Sequence, residues 1–325
     1  MTTLVTGGAG YIGSHIVHAL LDRGDAVVVL DDLSTGVKAH VGAGAHFVQG
    51  DICDTALVRK IIADHRVESV IHFAGSIVVP ESVADPLGYY DNNVVKSRSL
   101  IASCVAAGIE QLIFSSTATV YAEDAPQPLA ESARKAPISP YARSKLMTEW
   151  MLEDVARATA LRPMVLRYFN VAGADPKGRT GQSTPKATHL IKRAAQVALG
   201  RVLHLDIFGT DYPTPDGTGV RDYIHVSDLA AAHLLALDAL KAGARPTVYN
   251  VGYGRGLSVR EVVAGVERVT GKPLAVKESP RRAGDPPTLI SDPARIKAEL
   301  GWKPSHDELD GIIRSAIAWE QRFNN

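Results

Sequence analysis

A doubly wound, parallel α/β sheet is the fold this sequence predicts, on two observations. Short β-branched runs alternate with helix-length segments through the first half of the chain. A glycine turn closes the first of those runs and opens a helix. Such alternation gives parallel strands with right-handed crossovers, and ligands then sit beyond the carboxyl ends of the strands. The 325 residues suffice for one large α/β unit and a smaller lobe.

Thr3-Leu4-Val5-Thr6 reads as a buried strand, because it is β-branched, too short for a helix and bounded by glycine. Gly7, Gly10 and Gly13 follow in the spacing G-x-x-G-x-x-G. Glycine alone lets the backbone take positive φ and approach a ligand closely without strain. The helix that opens there presents N–H groups and a positive dipole end to an anion. A second strand, Ala26–Leu30, ends in Asp31 and Asp32. A carboxylate about 20 residues beyond the glycines is where a dinucleotide ribose is held. Together these features predict a Rossmann-like dinucleotide site; the alternative is a glycine-rich turn without a ligand. Asp31 selects NAD over NADP, since a carboxylate repels a 2′-phosphate.

Four more strands are expected at Ala45–Gln49, Ser69–Phe73, Gln111–Ser115 and Pro163–Tyr168. Helices are expected at Leu57–His65, Pro86–Ala107 and Tyr141–Thr159. Asp51, Phe73, Ala74, Gly75, Ser115 and Phe169 then fall at or just past strand ends. From about Asn170 the alternation gives way to loops around helices at Pro185–Leu199, Ser227–Leu240, Ser258–Thr270 and His306–Phe323. The expected division is a cofactor domain over 1–170 and a smaller C-terminal α/β substrate lobe over 171–325, with some segments crossing between them.

Ser139-Pro140-Tyr141-Ala142-Arg143-Ser144-Lys145 is the second decisive stretch. Ser139 suits a helix cap and Pro140 its first position. Tyr141 and Lys145 then lie at i and i+4 on one helical face. A free tyrosine titrates near 10, too high for a base at neutral pH; a neighbouring ammonium is expected to lower it. After a dinucleotide fingerprint, the pair reads as general base and acid for a hydroxyl substrate. Three hydroxyls, Ser115 at the end of the fifth strand and Ser116 and Thr117 just after it, could orient that substrate.

Basic and acidic residues balance at 35 each, so nothing draws the chain to nucleic acid or an anionic membrane. No apolar run is long enough to span a bilayer. The chain enters its first strand without a basic leader segment, so no signal peptide is expected. Cys53 and Cys104 form no paired motif, which fits a reducing cytoplasm. His15 and His18 share a helix, but no carboxylate or cysteine completes a set, so no metal is assigned.

The chain resembles the extended short-chain dehydrogenase/reductases, and within them the 4-epimerases of UDP-glucose and UDP-galactose. The resemblance runs nearly end to end, through Gly7–Gly13, Asp31–Gly36, Gly50–Ile52, His72–Gly75, Tyr89–Val94, Phe114–Tyr121, Tyr141–Lys145, Arg167–Asn170, Gly217–His225 and Arg281–Asp285. It implies an NAD site made by Gly7, Gly10, Tyr11, Ile12, Gly13, the segment Asp31, Asp32, Leu33, Ser34, Thr35 and Gly36, then Asp51, Ile52, Phe73, Ala74, Gly75, Asn92, Ser115, Tyr141, Lys145 and Phe169. Within it, Tyr11 and Ile12 would lie on the pyrophosphate, Asp31 on the adenosine ribose, and Asp51 and Ile52 near the adenine. The resemblance selects Thr117 from the three hydroxyls, to meet the sugar 4-hydroxyl beside Tyr141. It further implies that Asn170, His189, Phe208, Arg221, Arg282, Asp285 and Leu289 bind the UDP-sugar, and that two copies associate as a homodimer through the helices after Asn93 and Tyr141. Guanidinium forks suit a nucleotide diphosphate.

Three positions depart from the family pattern. Ile77 stands where a lysine near the pyrophosphate is common, His189 replaces an asparagine that meets the diphosphate, and Leu289 stands where a tyrosine often walls the sugar pocket. The last change opens the pocket to an N-acetylhexosamine or a pentose as alternatives to the hexose. Sister dehydratases place acidic residues after the Ser/Thr; Ala118 and Thr119 stand there in this chain, which favours epimerisation over elimination. Net reduction needs exchange of NADPH, which Asp31 disfavours. A non-catalytic dinucleotide sensor is the alternative of another class, and it would have little use for Tyr141 and Lys145 together.

Overall fold

The computed structural model describes residues 1–184, 188–282 and 285–323. In chain order the elements begin with β1 (Thr2–Thr6), α1 (Tyr11–Arg23), β2 (Ala26–Asp31), β3 (His46–Gln49), α2 (Thr55–His65), β4 (Val67–His72), α3 (Val79–Ala84), α4 (Pro86–Tyr90), α5 (Lys96–Ala106), β5 (Gln111–Thr117), α6 (Pro140–Ala158) and β6 (Arg162–Tyr168). They continue with β7 (Asn170–Ala172), α7 (Leu190–Ala198), β8 (Leu205–Phe208), β9 (Val220–Arg221), β10 (Tyr223–His225), α8 (Val226–Lys241), β11 (Thr247–Val251), β12 (Leu257–Ser258), α9 (Val259–Thr270), β13 (Val276–Ser279), β14 (Thr288–Leu289), α10 (Ala294–Leu300) and α11 (Leu309–Phe323). Two compact units form. The first contains Met1–Ala122, Arg134–Tyr168 and Ala230–Tyr249; the second contains Glu123–Ala133, Phe169–Leu229 and the chain from Asn250 on.

A seven-stranded sheet in the order β11-β6-β5-β4-β1-β2-β3 organises the first unit. β1 pairs in parallel with both β2 and β4, so the strand order reverses beside β1. That reversal is the crevice where open α/β sheets bind ligands. Helices cover both faces, so the central strands are apolar on both sides. Leu4, Val28, Leu30, Val70, Leu112 and Phe114 are almost wholly buried in one cluster. Truncating Phe114 to alanine would cost about 3–5 kcal/mol. The six predicted strands are present. β11 is a seventh, missed because it stands apart from the alternating pattern and joins the sheet only through tertiary pairing.

The predicted helix over Pro86–Ala107 is not uniform. Asp91–Val95 winds as a π turn between α4 and α5. The wider turn leaves the Asn93 carbonyl to accept hydroxyls from Ser97 at 2.6 Å and Thr148 at 3.3 Å. Such insertions cluster at functional sites. α3 was not expected from the sequence. The helix expected at Pro185–Leu199 spans only Leu190–Ala198; residues 188–189 are non-helical, and 185–187 lie outside the described residues. Residues 283–284 of the Arg281–Asp285 segment also lie outside them.

Small sheets and helices build the second unit. β7 pairs with β10, β9 lies between β12 and β14, and β8 pairs with β13. Ile191, Ala194, Val262, Val266, Ile312 and Ile313 pack α7, α9 and α11 into one core. Ser258 and Glu261 close a reciprocal capping box at the start of α9, which holds β12 in line with the helix.

Candidate active site

The glycine turn after β1 is as tight as its spacing requires. Gly7 takes φ +70°, and a Cβ there would lie 2.6 Å from the Ala74 nitrogen. A Cβ on Gly13 would lie 2.2 Å from the Gly7 carbonyl oxygen. Side chains are therefore excluded where the turn meets β4 and α1. The N-cap of α1 is Gly10, which offers the helix no side-chain acceptor. That leaves the role of acceptor to an anion, the arrangement a pyrophosphate needs. The residues present thus fit a dinucleotide.

Asp31 ends β2 with both carboxylate oxygens engaged. Oδ2 accepts from the Ala9 nitrogen and Oδ1 from the Leu33 nitrogen, each at 2.9 Å. Burial raises its pKa, and the two N–H bonds work against that rise. The carboxylate so braces the glycine turn while keeping lone pairs for a ribose hydroxyl. Leu33 holds φ +62°, an uncommon conformation that turns the chain sharply after Asp32. Asp51, just past β3, pairs with Lys96 at 2.6 Å and accepts from the Cys53 nitrogen at 2.9 Å.

Tyr141 and Lys145 enter on the first turns of α6. Ser139 caps that helix by accepting from the Ala142 nitrogen, and Pro140 opens it. The sequence expectation for the phenol is reversed. Burial pushes Tyr141 up to about 12, opposed by a hydrogen bond from Thr117. Lys145 is pushed down to about 8 by burial. Its Nζ donates to the Ser115 carbonyl at 3.0 Å and lies 5.0 Å from the centre of the Phe114 ring. The lysine is thus spent first on the strand end, and its effect on the phenol is smaller than the desolvation that both groups suffer.

Strand alternation sets Ser116 on the face of β5 opposite to Ser115 and Thr117. Thr117 reaches Tyr141. Ser116 donates to Glu149 Oε1 at 2.5 Å. Ser115 reaches Tyr168, whose hydroxyl bonds His233 Nε2. Phe73 packs on that histidine, ring centres 5.1 Å apart.

Beneath them lies a polar network that the sequence did not reveal. Asn92 donates to the Ser76 hydroxyl at 2.9 Å, while buried Asn93 holds the Ser76 backbone and the Ser144 hydroxyl. His72 bridges Thr6 at 2.8 Å and Ser97 at 2.9 Å. Ser97 donates to the Asn93 carbonyl, so His72 carries its proton on Nε2 and accepts from Thr6 at Nδ1. Burial, with the Lys145 charge, lowers His72 to about 3 and keeps it neutral. The doubled Asn92-Asn93 pair was the only sequence signal for this network.

In the second unit, the short sheets gather five predicted residues. Leu289 on β14 pairs with Arg221 on β9. Arg221 donates to the Val220 carbonyl at 2.9 Å. Its charge and that of Asp285 both reach Tyr212 and Tyr223. Arg282 stacks over the Phe208 ring at 3.7 Å. Next to Arg221, buried Asp222 accepts from the Ser291 hydroxyl at 2.5 Å and from the Tyr253 and Gly254 nitrogens at 2.9 Å, which ties β9 to the loop after β11. Phe169 and Asn170 open the unit's second segment; the Asn170 nitrogen donates to the Asp222 carbonyl. His189 precedes α7 and accepts at Nδ1 from Gln182 at 3.2 Å, so its proton is on Nε2. Burial and nearby Lys192 lower it to about 4. Among the described residues, no group of three His, Cys, Asp or Glu could hold a metal ion.

Comparison with known proteins places the chain in a family. Residues 3–252 match the NAD dependent epimerase/dehydratase family. The chain is 57% identical to a UDP-glucose 4-epimerase of Azospirillum brasilense, over 98% of this chain and 91% of that protein. It superposes with a TM-score of 0.94 and 46% identity on the UDP-glucose 4-epimerase of Brucella ovis in complex with NAD, covering 98% and 97% of the two chains. A second solved structure, from Stenotrophomonas maltophila, holds NAD and formylated UDP-arabinopyranose; it matches with a TM-score of 0.96 and 39% identity, over 100% and 99%.

Proposed function

This chain belongs to the NAD dependent epimerase/dehydratase family, and from that premise we propose that it is an NAD-dependent UDP-sugar 4-epimerase that interconverts UDP-glucose and UDP-galactose. The observation that carries the reading is the half-buried Tyr141 phenol hydrogen-bonded by Thr117, one helical turn from buried Lys145.

The glycine turn, Asp31 and the α1 N-terminus hold the dinucleotide in this reading. Arg221, Arg282, Asp285 and Phe208 hold UDP, with guanidinium forks on the diphosphate. Tyr141 takes the proton of the sugar 4-hydroxyl and returns it after the 4-keto sugar has turned over. Thr117 holds the same oxygen in line. Lys145 anchors the strand end through Ser115 and adds positive charge beside the phenol. NAD, when bound, supplies the hydride acceptor and donor for sugar C4, together with a positive charge that favours the phenolate. A net isomerisation leaves no proton or hydride to export, which suits a base on a helix whose neighbouring Lys145 is buried.

A pentose or N-acetylhexosamine is the second reading. Leu289 favours it, because a short apolar side chain stands where a tyrosine is common. The arabinopyranose nucleotide bound by the Stenotrophomonas enzyme points the same way.

Homodimerisation is part of the proposal. Val83, Leu87, Val95 and Trp150 are all more than half exposed, an apolar set on the helical segments from α3 to α6 that a second copy would cover. A cytoplasmic location fits the free thiols of Cys53 and Cys104. Among the described residues, no helix is long and apolar enough to cross a membrane.

The test is incubation of the purified protein with UDP-glucose, UDP-galactose, UDP-xylose and UDP-N-acetylglucosamine, first without and then with added NAD. NMR of the anomeric protons should show a galactose/glucose equilibrium. Failure to convert any UDP-sugar, with NAD supplied, ends the reading.

A further inference from the structure

A buried ion pair lies behind the catalytic strand. Ser116 on β5 and Arg167 on β6 are direct cross-strand neighbours. Glu149 of α6 meets both. Its Oε1 accepts from Ser116 Oγ at 2.5 Å and from Arg167 Nε at 3.0 Å, and its Oε2 accepts from Arg167 Nη2 at 2.5 Å. Arg167 Nη1 donates to the Tyr121 hydroxyl at 2.8 Å. Arg167 is 2% exposed and Glu149 7%.

Burying two charges carries a desolvation cost that apolar residues of like volume would avoid, so the pair is weak evidence for stability alone. Its placement suggests what it gains. Glu149 lies one helical turn beyond Lys145 and two beyond Tyr141 on the same face of α6. Ser116 is the neighbour of both strand residues those side chains engage: Tyr141 meets Thr117, and Lys145 meets the Ser115 carbonyl. The carboxylate thus fixes the rotation and rise of α6 against the one strand end that carries the reacting hydroxyl. Arg167 locks the carboxylate with two parallel bonds, a geometry that lysine cannot reproduce.

We propose that Glu149, held by Arg167, is a positioning residue for the 4-epimerase reaction: through Ser116 it sets the separation of Tyr141 from Thr117. The proposal rests on the epimerase reading above. Glu149 is buried and its oxygens are engaged by Ser116 and Arg167, so its loss should lower kcat and leave KM alone. A misplacement near 1 Å is worth about a hundredfold in rate.

The experiment compares wild type, Glu149→Gln, and the paired apolar exchange Glu149→Leu with Arg167→Met, all with NAD content matched. In Glu149→Gln, kcat for UDP-galactose is expected to fall about ten- to a hundredfold, with KM within about twofold of wild type. The apolar pair is expected to keep or regain thermal stability and still be slow. Ser116→Ala, which leaves the ion pair in place, should lower kcat about three- to tenfold, and Ser116→Thr should restore it; these two variants decide the matter should the others fail to fold. Unchanged kcat in Glu149→Gln or Ser116→Ala, or recovery of kcat together with stability in the apolar pair, overturns the positioning role. A wild type that epimerises no UDP-sugar overturns the function itself, a result separable from the others.

Discussion

The Thr117 hydroxyl hydrogen-bonds the Tyr141 phenol, across the gap between the end of β5 and the first turn of α6. That bond opposes the rise to about 12 which burial imposes on the phenol. A hydroxyl donor that stabilises the phenolate suits the role of proton carrier proposed for the phenol.

Tyr141→Phe should therefore lower kcat by about a thousandfold, within the usual range for a general base, while NAD content after purification stays at the wild-type level. Thr117→Val should cost about ten- to a hundredfold and shift the alkaline dependence of kcat upward, since the phenolate loses its donor. The readout is steady-state epimerisation from pH 6 to 10. Near wild-type kcat in Tyr141→Phe would remove the phenol from the mechanism.

Ile77 is 46% exposed at the loop beyond β4, where relatives of this type often carry a lysine near the pyrophosphate. Ile77→Lys should tighten NAD retention through added charge on the diphosphate, about three- to tenfold in Kd. Dialysis followed by measurement of protein-bound NAD checks this. Equal or weaker retention would mean that position 77 does not face the cofactor.

Leu289 is buried on β14 beside Arg221. Leu289→Tyr should lower kcat/KM for UDP-N-acetylglucosamine at least tenfold more than for UDP-galactose, because the added ring fills the space an acetamido group would take. A ratio unchanged by the substitution would free the sugar pocket from this residue.

Three histidines with lowered pKa set the response to acid. His72 is lowered to about 3, and His189 and His225 to about 4, from an ordinary 6.5, with burial the largest cause in each. The unfolded chain binds these protons first, so the stability they confer is full above pH 6.5 and is lost as pH falls toward the folded values. A shift from 6.5 to about 4 corresponds to about 3 kcal/mol. Tm should drop steadily from pH 7 to pH 5, and less in His189→Asn. His189 stays neutral near pH 7, so its titration should leave UDP-sugar KM unchanged between pH 6.5 and 8. A KM that rises across that window in wild type but not in His189→Asn would contradict the neutral state.

Much of the first unit was legible because local chemistry dictates it. The glycine spacing, the strand-ending Asp31 and the Ser139-Pro140 helix start are short-range signals, and each recurs in the structure with its expected geometry. The helix interruption at Asp91–Val95 was not legible, since a π turn is stabilised by Ser97 and by the distant Thr148. The phenol's pKa was misjudged for the same reason. Tyr141 and Lys145 are four residues apart in any helix, but their burial depends on the whole sheet.

By itself, the sequence determined the strand and helix alternation, the dinucleotide turn and the side chains proposed to react, all of which depend on residue type at short spacing. Tertiary structure alone decided where the Lys145 ammonium is spent, where Ser115 and Ser116 are engaged, and that Glu149 and Arg167 meet behind the strand. Those outcomes come from register between β5, β6 and α6, and from desolvation, neither of which any local run of residues encodes.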